Sequence, residues 1–276
     1  MNQMETIYKQ NLFQGKTALI TGGGTGIGLR IARELSTLGA TVILASRSEE
    51  KLNKGVETIE NDGRKVISIP LDIRNIESVQ NCFSKIKEKV GECHILINNA
   101  GGQFPSLAKD INQKGWKAVI DTNLNGTFSM CQEALHSFFK ESGGAIVNII
   151  ANIWNGFPYM AHTGAARAGV ENLTKTLSIE WAKYGVRVNA IAPGVINSSG
   201  LQTYEEPFRS GVQMAKEFNL TGRLGTEAEV ASACLFLLSP GAQYITGTTL
   251  RVDGGESVFH PFMPPSPHGK LEPILS

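Results

Sequence analysis

Residues 17–28, TALITGGGTGIG, decide the fold. A short run of β-branched and apolar residues is typical of a buried strand, and it leads directly into a glycine-rich turn and a helical pattern. Glycine lets the backbone turn tightly and approach a phosphate, and free N–H groups at the start of a helix favour negative charge. The strand before the turn and the helix after it are the context that a nucleotide site requires. The predicted phosphate site consists of Gly22, Thr25, Gly26, Ile27 and Gly28.

Six more strand-like runs alternate with helical patterns along the chain. They are TVILA (41–45), VISI (66–69), HILIN (94–98), AIVNII (145–150), VRVNAI (186–191) and TLRV (249–252). Continuous apolar strands separated by helices indicate a parallel sheet that is covered on both faces. We therefore predict an α/β fold, a doubly wound (Rossmann) seven-stranded parallel sheet in a single domain. The domain is expected over 15–255, between an N-terminal tail (1–14) and a proline-rich C-terminal arm (256–276).

Two segments depart from the alternation of strands and helices. Residues 197–220 are long for a connector, and long connections in compact domains tend to be lids or binding loops. The arm contains Pro261, Pro264, Pro265, Pro267 and Pro273, so it cannot form a regular helix or a central strand. We expect an extended arm that lies over its own domain or over a partner subunit.

Composition excludes several classes of function. The formal net charge is +1, and the cations are scattered among acids, so no nucleic acid or acidic membrane is expected as a partner. The chain shows neither a signal-peptide core nor a membrane-span run, and we expect a cytoplasmic protein. Cys82, Cys93, Cys131 and Cys234 lack a C-x-x-C pairing, which favours buried free thiols over disulfides or a metal site.

The ends of three other strands supply residues for a nucleotide. Ser46 and Arg47 close the second strand, where an acid would bind a ribose 2′-hydroxyl and repel a 2′-phosphate, so NADP(H) is favoured over NAD(H). Asp72, with Ile73 beside it, follows the third strand and is expected to accept a hydrogen bond from the adenine amino group. The turn after the fourth strand is expected beneath the adenine ribose, and it contributes Asn99, Ala100 and Gly101.

Together, these motifs resemble the short-chain dehydrogenase/reductase family. The matching segments are TGGGTGIG, NNAG, DTNLNGTF, IVNI, EWAKYGVRVNAIAPG, GRLGTEAEV and ITGTTLRVDGG, and the resemblance covers residues 12–256. It implies that Pro193, Gly194 and Ile196 meet the nicotinamide, and that Asn123 braces the active-site helix. It also implies a homotetramer, assembled through the helices that carry residues 115–139 and 163–184.

The chain departs from this family at its catalytic positions. Ala151 stands where the family usually has Ser, Thr163 where it has the Tyr of Tyr-x-x-x-Lys, and Arg167 where it has the Lys. Finer features, GGQF (101–104), KGW (114–116) and HTGAARAG (162–169), resemble the fatty-acyl-CoA reductase branch. That branch includes 2,4-dienoyl-CoA and peroxisomal-type trans-2-enoyl-CoA reductases, and the likeness to the latter is closer. In the dienoyl reductases, an Asn that matches Gln103 binds the thioester carbonyl.

The missing tyrosine favours reduction of a C=C bond. Reduction of a carbonyl develops an alkoxide and needs a nearby acid, whereas an enoyl thioester forms an enolate that hydrogen-bond donors can stabilise. Gln103 and Thr163 are the candidate donors. Arg167, one helical turn after Thr163, is expected to hold the cofactor ribose and to supply positive potential. The sequence therefore predicts an NADPH-dependent reductase of trans-2-enoyl-CoA thioesters.

Three alternatives stay open from the sequence. Tyr159 or His162 could act as an acid and restore carbonyl reduction of 3-oxoacyl or other ketone substrates. Arg167, Glu171 and Lys175 could form an ordinary ion-pair ladder along one helix face. The chain could also be a non-catalytic regulator that binds NADPH.

Overall fold

The computed structural model describes residues 8–266 and 269–274, apart from the Gln202 side chain. Residues 1–7 of the predicted tail lie outside the described residues, as do Pro267, His268 and the last two residues of the predicted arm. The strands within the described part are Thr17–Thr21 (β1), Thr41–Ser46 (β2), Val66–Pro70 (β3), Ile95–Asn98 (β4), Gly144–Ile149 (β5), Val186–Pro193 (β6), Ile196–Asn197 (β7), Gly225–Thr226 (β8) and Thr249–Val252 (β9).

Seven of these strands form one parallel sheet in the order β3-β2-β1-β4-β5-β6-β9. The order reverses between β1 and β4, which is the switch point of a doubly wound sheet, and such sheets bind ligands beyond the carboxyl ends of their strands at this point. The predicted fold class is confirmed. All seven strands that the sequence predicts are present, with bounds that differ by no more than two residues.

Helices cover both faces of the sheet. They are Gly26–Thr37 (α1), Glu49–Asn61 (α2), Ile76–Lys89 (α3), Gln113–Ile120 (α4), Gly126–Ala134 (α5), Lys140–Ser142 (α6), Ala161–Glu180 (α7), Phe208–Gln213 (α8) and Glu227–Leu238 (α9). Two π-helical turns, Asp121–Asn125 and Leu135–Phe139, join α4, α5 and α6 into a continuous run. None of the described helices is both long and apolar enough to span a bilayer.

The two faces of the sheet have separate cores, because successive strand residues point to opposite sides. In β1, Ala18 and Ile20 belong to the core that α1 and α9 cover, whereas Leu19 belongs to the core under α3, α5 and α7. The four cysteines are buried and free, as predicted. Burial raises the pKa of the Cys93 and Cys131 thiols to about 12.

The lid segment, residues 197–220, folds as short helical pieces rather than as an open loop. A 3-10 turn at Leu201–Thr203 precedes α8, and a second one at Met214–Phe218 follows it. The two short strands β7 and β8 pair in parallel at its base and fix where the segment leaves and rejoins the domain. Phe208, Met214 and Phe218 keep part of their apolar surface exposed.

The arm contains a 3-10 turn at Glu256–Val258 and no other helix or strand over the residues described. Arg223, three residues after the lid segment, donates from Nε to the carbonyl of Leu271 at 2.6 Å. The arm therefore lies on its own domain, which is one of the two arrangements that its prolines predicted.

Candidate active site

A cleft of about 520 Å³ opens at the switch point of the sheet, beyond the carboxyl ends of β1, β2 and β4. The structure brings most of the predicted cofactor residues together here. Those that line the cleft are Gly22, Thr25, Gly26, Ile27, Ser46, Arg47, Asp72, Ile73, Asn99, Ala100 and Gly101. The lining also includes Ser198, Ser199 and Gly200 from the base of the lid segment, which the sequence did not single out.

The glycine-rich turn is packed so tightly that side chains are excluded from it. A Cβ atom at Gly28 would lie 2.4 Å from Asn99 Nδ2 and 2.5 Å from the carbonyl oxygen of Gly22. Asn99 itself donates from Nδ2 to the carbonyls of Thr21 and Gly22 at 3.1 and 3.2 Å. Gly28 therefore packs against Asn99 and the Gly22 carbonyl, and it does not line the cleft.

The start of α1 is suited to an anion. Thr25 is the N-cap residue, but its side chain makes no capping hydrogen bond, so the first N–H groups of the helix have no side-chain partner there. Uncapped N–H groups and the helix dipole together favour a phosphate at this end. Both the cradle of the turn and this donor set fit the pyrophosphate of a dinucleotide.

The end of β2 carries more polar groups than the sequence analysis identified. Ser46 Oγ accepts from the N–H of Ser48 at 3.4 Å, and Ser48 caps α2 by accepting from the N–H of Lys51 at 3.3 Å. Ser48 and Lys51 line the cleft beside Arg47. The sequence analysis missed both residues, although a serine before EEK is a helix N-cap signal.

Asp72 is engaged by a neighbour. Arg74 donates to its carboxylate from Nη2 at 2.6 Å and from Nε at 3.0 Å. The Arg74 side chain lowers the pKa of the Asp72 carboxyl, so this group is ionised at neutral pH and is an acceptor only. The geometry leaves Asp72 on the wall of the cleft where the sequence predicted an adenine contact.

Apart from Arg167 on α7, the remaining predicted cofactor residues lie at the end of β6. Pro193 ends the strand, and its carbonyl accepts from the Asn152 N–H at 2.9 Å. Gly194 follows in close contact with the first turn of the arm, since a Cβ there would lie 2.8 Å from Glu256 Oε2. Ile196 opens β7 and is buried. Pro193 ends β6, the other two residues follow it, and none of the three lines the cleft at the switch point.

Glu256 and Asn152 form a polar contact that the sequence analysis did not identify. Burial raises the pKa of the Glu256 carboxyl, and the nearby Asp253 adds to the shift. The carboxylate accepts hydrogen bonds from the Asn152 side chain and from the Val195 N–H. Asn152 Oδ1 is buried and has no hydrogen-bond partner among the described residues.

Arg167, on α7, does not line the cleft but lies against Gly101, which does. Its side chain is buried, and Nη1 donates to the carbonyl of Ile149 at 2.9 Å. We name the loop after β4, which carries Asn99, Ala100 and Gly101, the cofactor loop. A Cβ atom at Gly101 would lie 2.4 Å from Arg167 Nη2 and 2.8 Å from Asn123 Oδ1, so the cofactor loop packs directly on both side chains. Burial lowers the pKa of the guanidinium to about 10, and the group stays charged at neutral pH.

No carboxylate pairs with Arg167 among the ion pairs of the described residues. Glu171 instead pairs with Lys175, with the two atoms 2.6 Å apart. The alternative that Arg167 is part of an ion-pair ladder is therefore wrong. The guanidinium is a buried positive charge that is held by a carbonyl and placed against the cofactor loop.

Asn123 connects the π-helical turn of residues 121–125 to the loop after β4. Its Nδ2 donates to the carbonyl of Gly102 at 2.7 Å and to that of Val119 at 2.9 Å, and its Oδ1 accepts from the Gly102 N–H at 3.3 Å. Through these hydrogen bonds, Asn123 fixes Gly102, the residue before Gln103. π-Helical turns are frequent at functional sites because they displace one residue from the helix ladder.

The two predicted donors differ in accessibility. Gln103 is exposed, and its Nε2 donates to the hydroxyl of Tyr204 in the lid segment. Thr163 has no exposed surface, and its Oγ1 lies 3.2 Å from His162 Nδ1. His162 is also buried, and burial lowers its pKa. A substrate can therefore reach Gln103 directly but would meet Thr163 only after a local rearrangement.

Tyr159 belongs to an aromatic cluster with the lid segment. It is 52% exposed, and its ring lies 5.9 Å from that of Phe208, edge to face. Phe208 in turn contacts the Tyr204 ring at 5.2 Å. We name Tyr159, Tyr204 and Phe208 the lid cluster. The cluster combines three aromatic rings with two hydroxyl groups.

Comparison with known proteins identifies the family. The sequence family described as enoyl-(acyl carrier protein) reductase matches residues 22–257. The peroxisomal 2,4-dienoyl-CoA reductase of Danio rerio is 36% identical over 92% of this chain and 86% of its own length. The protein named "Probable 2,4-dienoyl-CoA reductase" of Bacillus subtilis is 38% identical over 87% of this chain and 96% of its own length.

A solved structure extends the comparison. The citronellol catabolism dehydrogenase AtuB of Pseudomonas aeruginosa superposes with a TM-score of 0.82 at 44% identity, and it covers 92% of this chain and 100% of its own. These matches agree with the sheet order, the glycine cradle and the cleft at the switch point. The chain belongs to the short-chain dehydrogenase/reductase family of oxidoreductases, whose members use a nicotinamide cofactor.

Proposed function

We propose that the protein reduces the C=C bond of trans-2-enoyl-CoA thioesters with NADPH. The observation that carries the proposal is Arg167, a buried guanidinium without a carboxylate partner in the described chain, in a helix that lacks the family tyrosine. A fixed positive charge stabilises an anion without exchanging a proton. The relatives named 2,4-dienoyl-CoA reductases support an acyl-CoA thioester as the substrate class.

The chemistry needs donors around one oxygen. NADPH, when bound, supplies a hydride, which adds to the β-carbon of the enoyl thioester. The π electrons move to the thioester oxygen as an enolate, and water protonates the α-carbon. Hydrogen-bond donors around the enolate oxygen lower the barrier because they act where charge develops. No acid is required next to that oxygen, which agrees with the absence of the family tyrosine from α7.

Gln103 is the donor that we place on the thioester oxygen, since its amide is exposed and Asn123 holds the residue before it. Arg167 contributes positive potential and holds the nicotinamide ribose. Pro193, Gly194 and Ile196 meet the nicotinamide in this proposal. Thr163 stays a candidate donor, but we rank it after Gln103 because its side chain is fully buried.

Replacing Gln103 with alanine should lower kcat by about 10- to 100-fold, which corresponds to one lost hydrogen bond to a developing charge. The affinity for NADPH should stay nearly unchanged, because Gln103 does not line the cofactor cleft. Steady-state kinetics and NADPH titration measure the two quantities. Gln80→Ala, on the exposed side of α3, is the control. A kcat equal to that of the control would remove Gln103 from the mechanism.

The preference for NADPH is part of the proposal. Ser46, Arg47, Ser48 and Lys51 crowd the end of β2, where the ribose 2′-position of a bound dinucleotide lies in this fold. A 2′-phosphate would receive charge-assisted hydrogen bonds from this cluster, and the Asp72 carboxylate, which also lines the cleft, is paired with Arg74.

Arg47→Asp should weaken NADPH binding by about 10- to 100-fold and leave NADH binding equal or stronger, because one charge-assisted bond is lost and repulsion is added. Fluorescence titration of both cofactors gives the ratio. Arg64→Asp makes the same change of charge on the loop between α2 and β3 and should have no effect on the ratio. An unchanged ratio in Arg47→Asp would contradict the 2′-phosphate assignment.

The substrate class is tested by NADPH consumption with a panel of thioesters. It contains trans-2-enoyl-CoAs of several lengths, a 2,4-dienoyl-CoA and a 3-oxoacyl-CoA. We expect turnover of the enoyl and dienoyl thioesters and none of the oxo substrate. Turnover of only the 3-oxoacyl-CoA would indicate that the protein is a carbonyl reductase, with Tyr159 or His162 as the acid. NADPH binding without any turnover would favour the regulator.

A second candidate function rests on the similarity to AtuB, a citronellol catabolism dehydrogenase at 44% identity. It is the oxidation of a methyl-branched, isoprenoid-like alcohol, or the reverse reduction of its carbonyl. This chemistry needs an acid–base group, and Tyr159 at the lid cluster is the candidate. Citronellol with NADP⁺ is the probe, and oxidation that disappears in Tyr159→Phe would favour this function.

Assembly and location also stay proposals. We propose a homotetramer, because Trp116, Phe128 and Ile179 expose large apolar surfaces on the helices α4, α5 and α7. A monomer in light scattering would contradict it. We retain a cytoplasmic location as the expectation from the sequence.

A further inference from the structure

The tyrosine of the family's Tyr-x-x-x-Lys motif is absent from α7, but the hydroxyl of another tyrosine lies beside Gln103. Tyr204 lies in the lid segment, and its hydroxyl accepts a hydrogen bond from Gln103 Nε2. The two residues are 101 positions apart in the sequence. The contact therefore arises only because the lid segment folds back over the loop after β4.

Both partners of this contact keep one hydrogen that can be donated to a ligand. A phenol has one hydrogen to donate and can also accept, whereas the amide of Gln has two N–H donors. Because the Tyr204 oxygen accepts from Gln103, its own hydrogen remains available. No other hydrogen bond of the Tyr204 hydroxyl is present in the described part of the chain, and one N–H of Gln103 also remains. An O–H and an N–H donor thus lie side by side, each without an acceptor among the residues that the structure describes.

The arrangement is held by packing. The Tyr204 ring meets Phe208 edge to face at 5.2 Å with an interplanar angle of 71°. On the Gln103 side, Asn123 binds both the carbonyl and the N–H of Gly102. Hydrogen bonds that form a chain polarise one another, so a phenol that accepts from Gln103 becomes a better donor to a third group.

We infer that Tyr204 is a catalytic residue, a lid-borne donor that binds the thioester oxygen together with the Gln103 amide. This inference rests on the proposed reduction of enoyl thioesters. In the step, hydride forms a C–H bond at the β-carbon, the C=C π bond breaks, and the electron pair reaches the thioester oxygen. Tyr204 and Gln103 donate hydrogen bonds to that oxygen and keep their protons, and water protonates the α-carbon.

The placement also gives the lid segment a role in specificity. The phenol reaches the oxygen only when residues 197–220 are folded over the site, and Phe208, Met214 and Phe218 lie on the same segment. A substrate whose acyl chain fits against these side chains stabilises the folded segment and thereby completes the donor pair. Binding of the chain and activation of the oxygen are thus coupled through one element.

The test compares three Tyr→Phe variants with trans-2-enoyl-CoA as the substrate. Tyr204→Phe keeps the ring and its contact with Phe208 but removes the hydroxyl. We expect kcat to fall about 10- to 100-fold with little change in KM, NADPH affinity or melting temperature. Tyr184→Phe, in the 3-10 turn before β6, is the control and should match the wild type.

Several outcomes would overturn the inference. If Tyr204→Phe raises only KM, the residue fastens the lid segment and is not a donor. If Tyr159→Phe loses kcat and Tyr204→Phe does not, the working phenol is Tyr159. If the wild type does not turn over enoyl thioesters at all, the proposed function fails and this inference fails with it, which the wild-type assay alone reveals.

A double-mutant cycle tests the shared oxygen directly. Tyr204→Phe and Gln103→Ala should be non-additive, because each variant removes one donor from the same acceptor and weakens the contact between the donors. We expect the double variant to lose less than the product of the two single losses. Strict additivity would indicate two independent sites and would contradict the pair.

Discussion

Replacing Gly101 with alanine should nearly abolish turnover, with kcat/KM lower by about 10²- to 10³-fold, the scale of losing both orientation and electrostatic stabilisation. The new methyl group would lie 2.4 Å from Arg167 Nη2 and 2.8 Å from Asn123 Oδ1. Real Cβ atoms do not approach other atoms so closely, so the guanidinium and the amide must both move. Cofactor affinity should also fall, because Gly101 lines the cleft.

The neighbouring glycine supplies the matched control for this prediction. A Cβ atom at Gly102 would meet nothing closer than Thr122 Cγ2 at 4.0 Å. Gly102→Ala should therefore keep kcat/KM close to the wild-type value in the same assay. If Gly101→Ala were equally active, the contact of the cofactor loop with Arg167 and Asn123 would have no catalytic importance. Thermal unfolding of both variants separates this effect from a loss of folding.

Arg167→Met should remove activity without a matching loss of stability. Losing the fixed charge should lower kcat/KM by about 10²- to 10³-fold, as the removal of one preorganised electrostatic group does in other enzymes. The free energy of unfolding has two opposing contributions. The Ile149 carbonyl loses its donor, at a cost of roughly 1–3 kcal/mol, but a desolvated charge without a carboxylate partner is also removed. The melting temperature should therefore change little.

Arg187→Met is the control, because Arg187 is a partly buried arginine that also donates to backbone carbonyls. Burial also lowers the pKa of Arg187, and it donates to the carbonyls of Leu237 and Ile245 at 2.8 and 3.2 Å. It lies on β6 away from the cleft, so its loss should reduce stability and leave kcat unchanged. Equal kcat in Arg167→Met and wild type would contradict the electrostatic role of Arg167.

The fold could be predicted from the sequence because strand residues buried on both faces must be apolar. The runs at 17–21 and 249–252 have the same bounds in the structure, and the others shift by one or two residues at their ends. The pair β7 and β8 was not predicted, since two residues each are too short for any periodicity. The π-helical turns were missed for a related reason, because one extra residue leaves the helical pattern almost unchanged.

The site was predictable where its residues follow strands directly. The carboxyl ends of parallel strands lie at one edge of the sheet, so Gly22, Arg47, Asp72 and Ala100 had to converge. Contacts between distant segments could not be predicted in this way. Gln103 with Tyr204 and Asn152 with Glu256 depend on how the lid segment and the arm fold back, and neither has a periodic pattern.

The burial of individual side chains on α7 could not be predicted from the sequence either. Thr163 and Arg167 share a face, as their spacing predicted, but Thr163 has no exposed surface and Arg167 lies against Gly101. Both results depend on how closely the loop after β4 packs on the helix. Of the two predicted donors, that packing leaves Gln103 as the accessible one.

The most direct test of the account follows the hydride. The protein is incubated with trans-2-enoyl-CoA and, in a parallel reaction, with a 3-oxoacyl-CoA. Each reaction contains NADPH that carries deuterium at the transferable position, and the products are analysed by mass spectrometry and NMR. From trans-2-enoyl-CoA we expect a saturated acyl-CoA with one deuterium on the β-carbon and a solvent proton on the α-carbon. Transfer of deuterium to the carbonyl carbon of a 3-oxoacyl-CoA, with the enoyl thioester left unlabelled, would contradict C=C reduction.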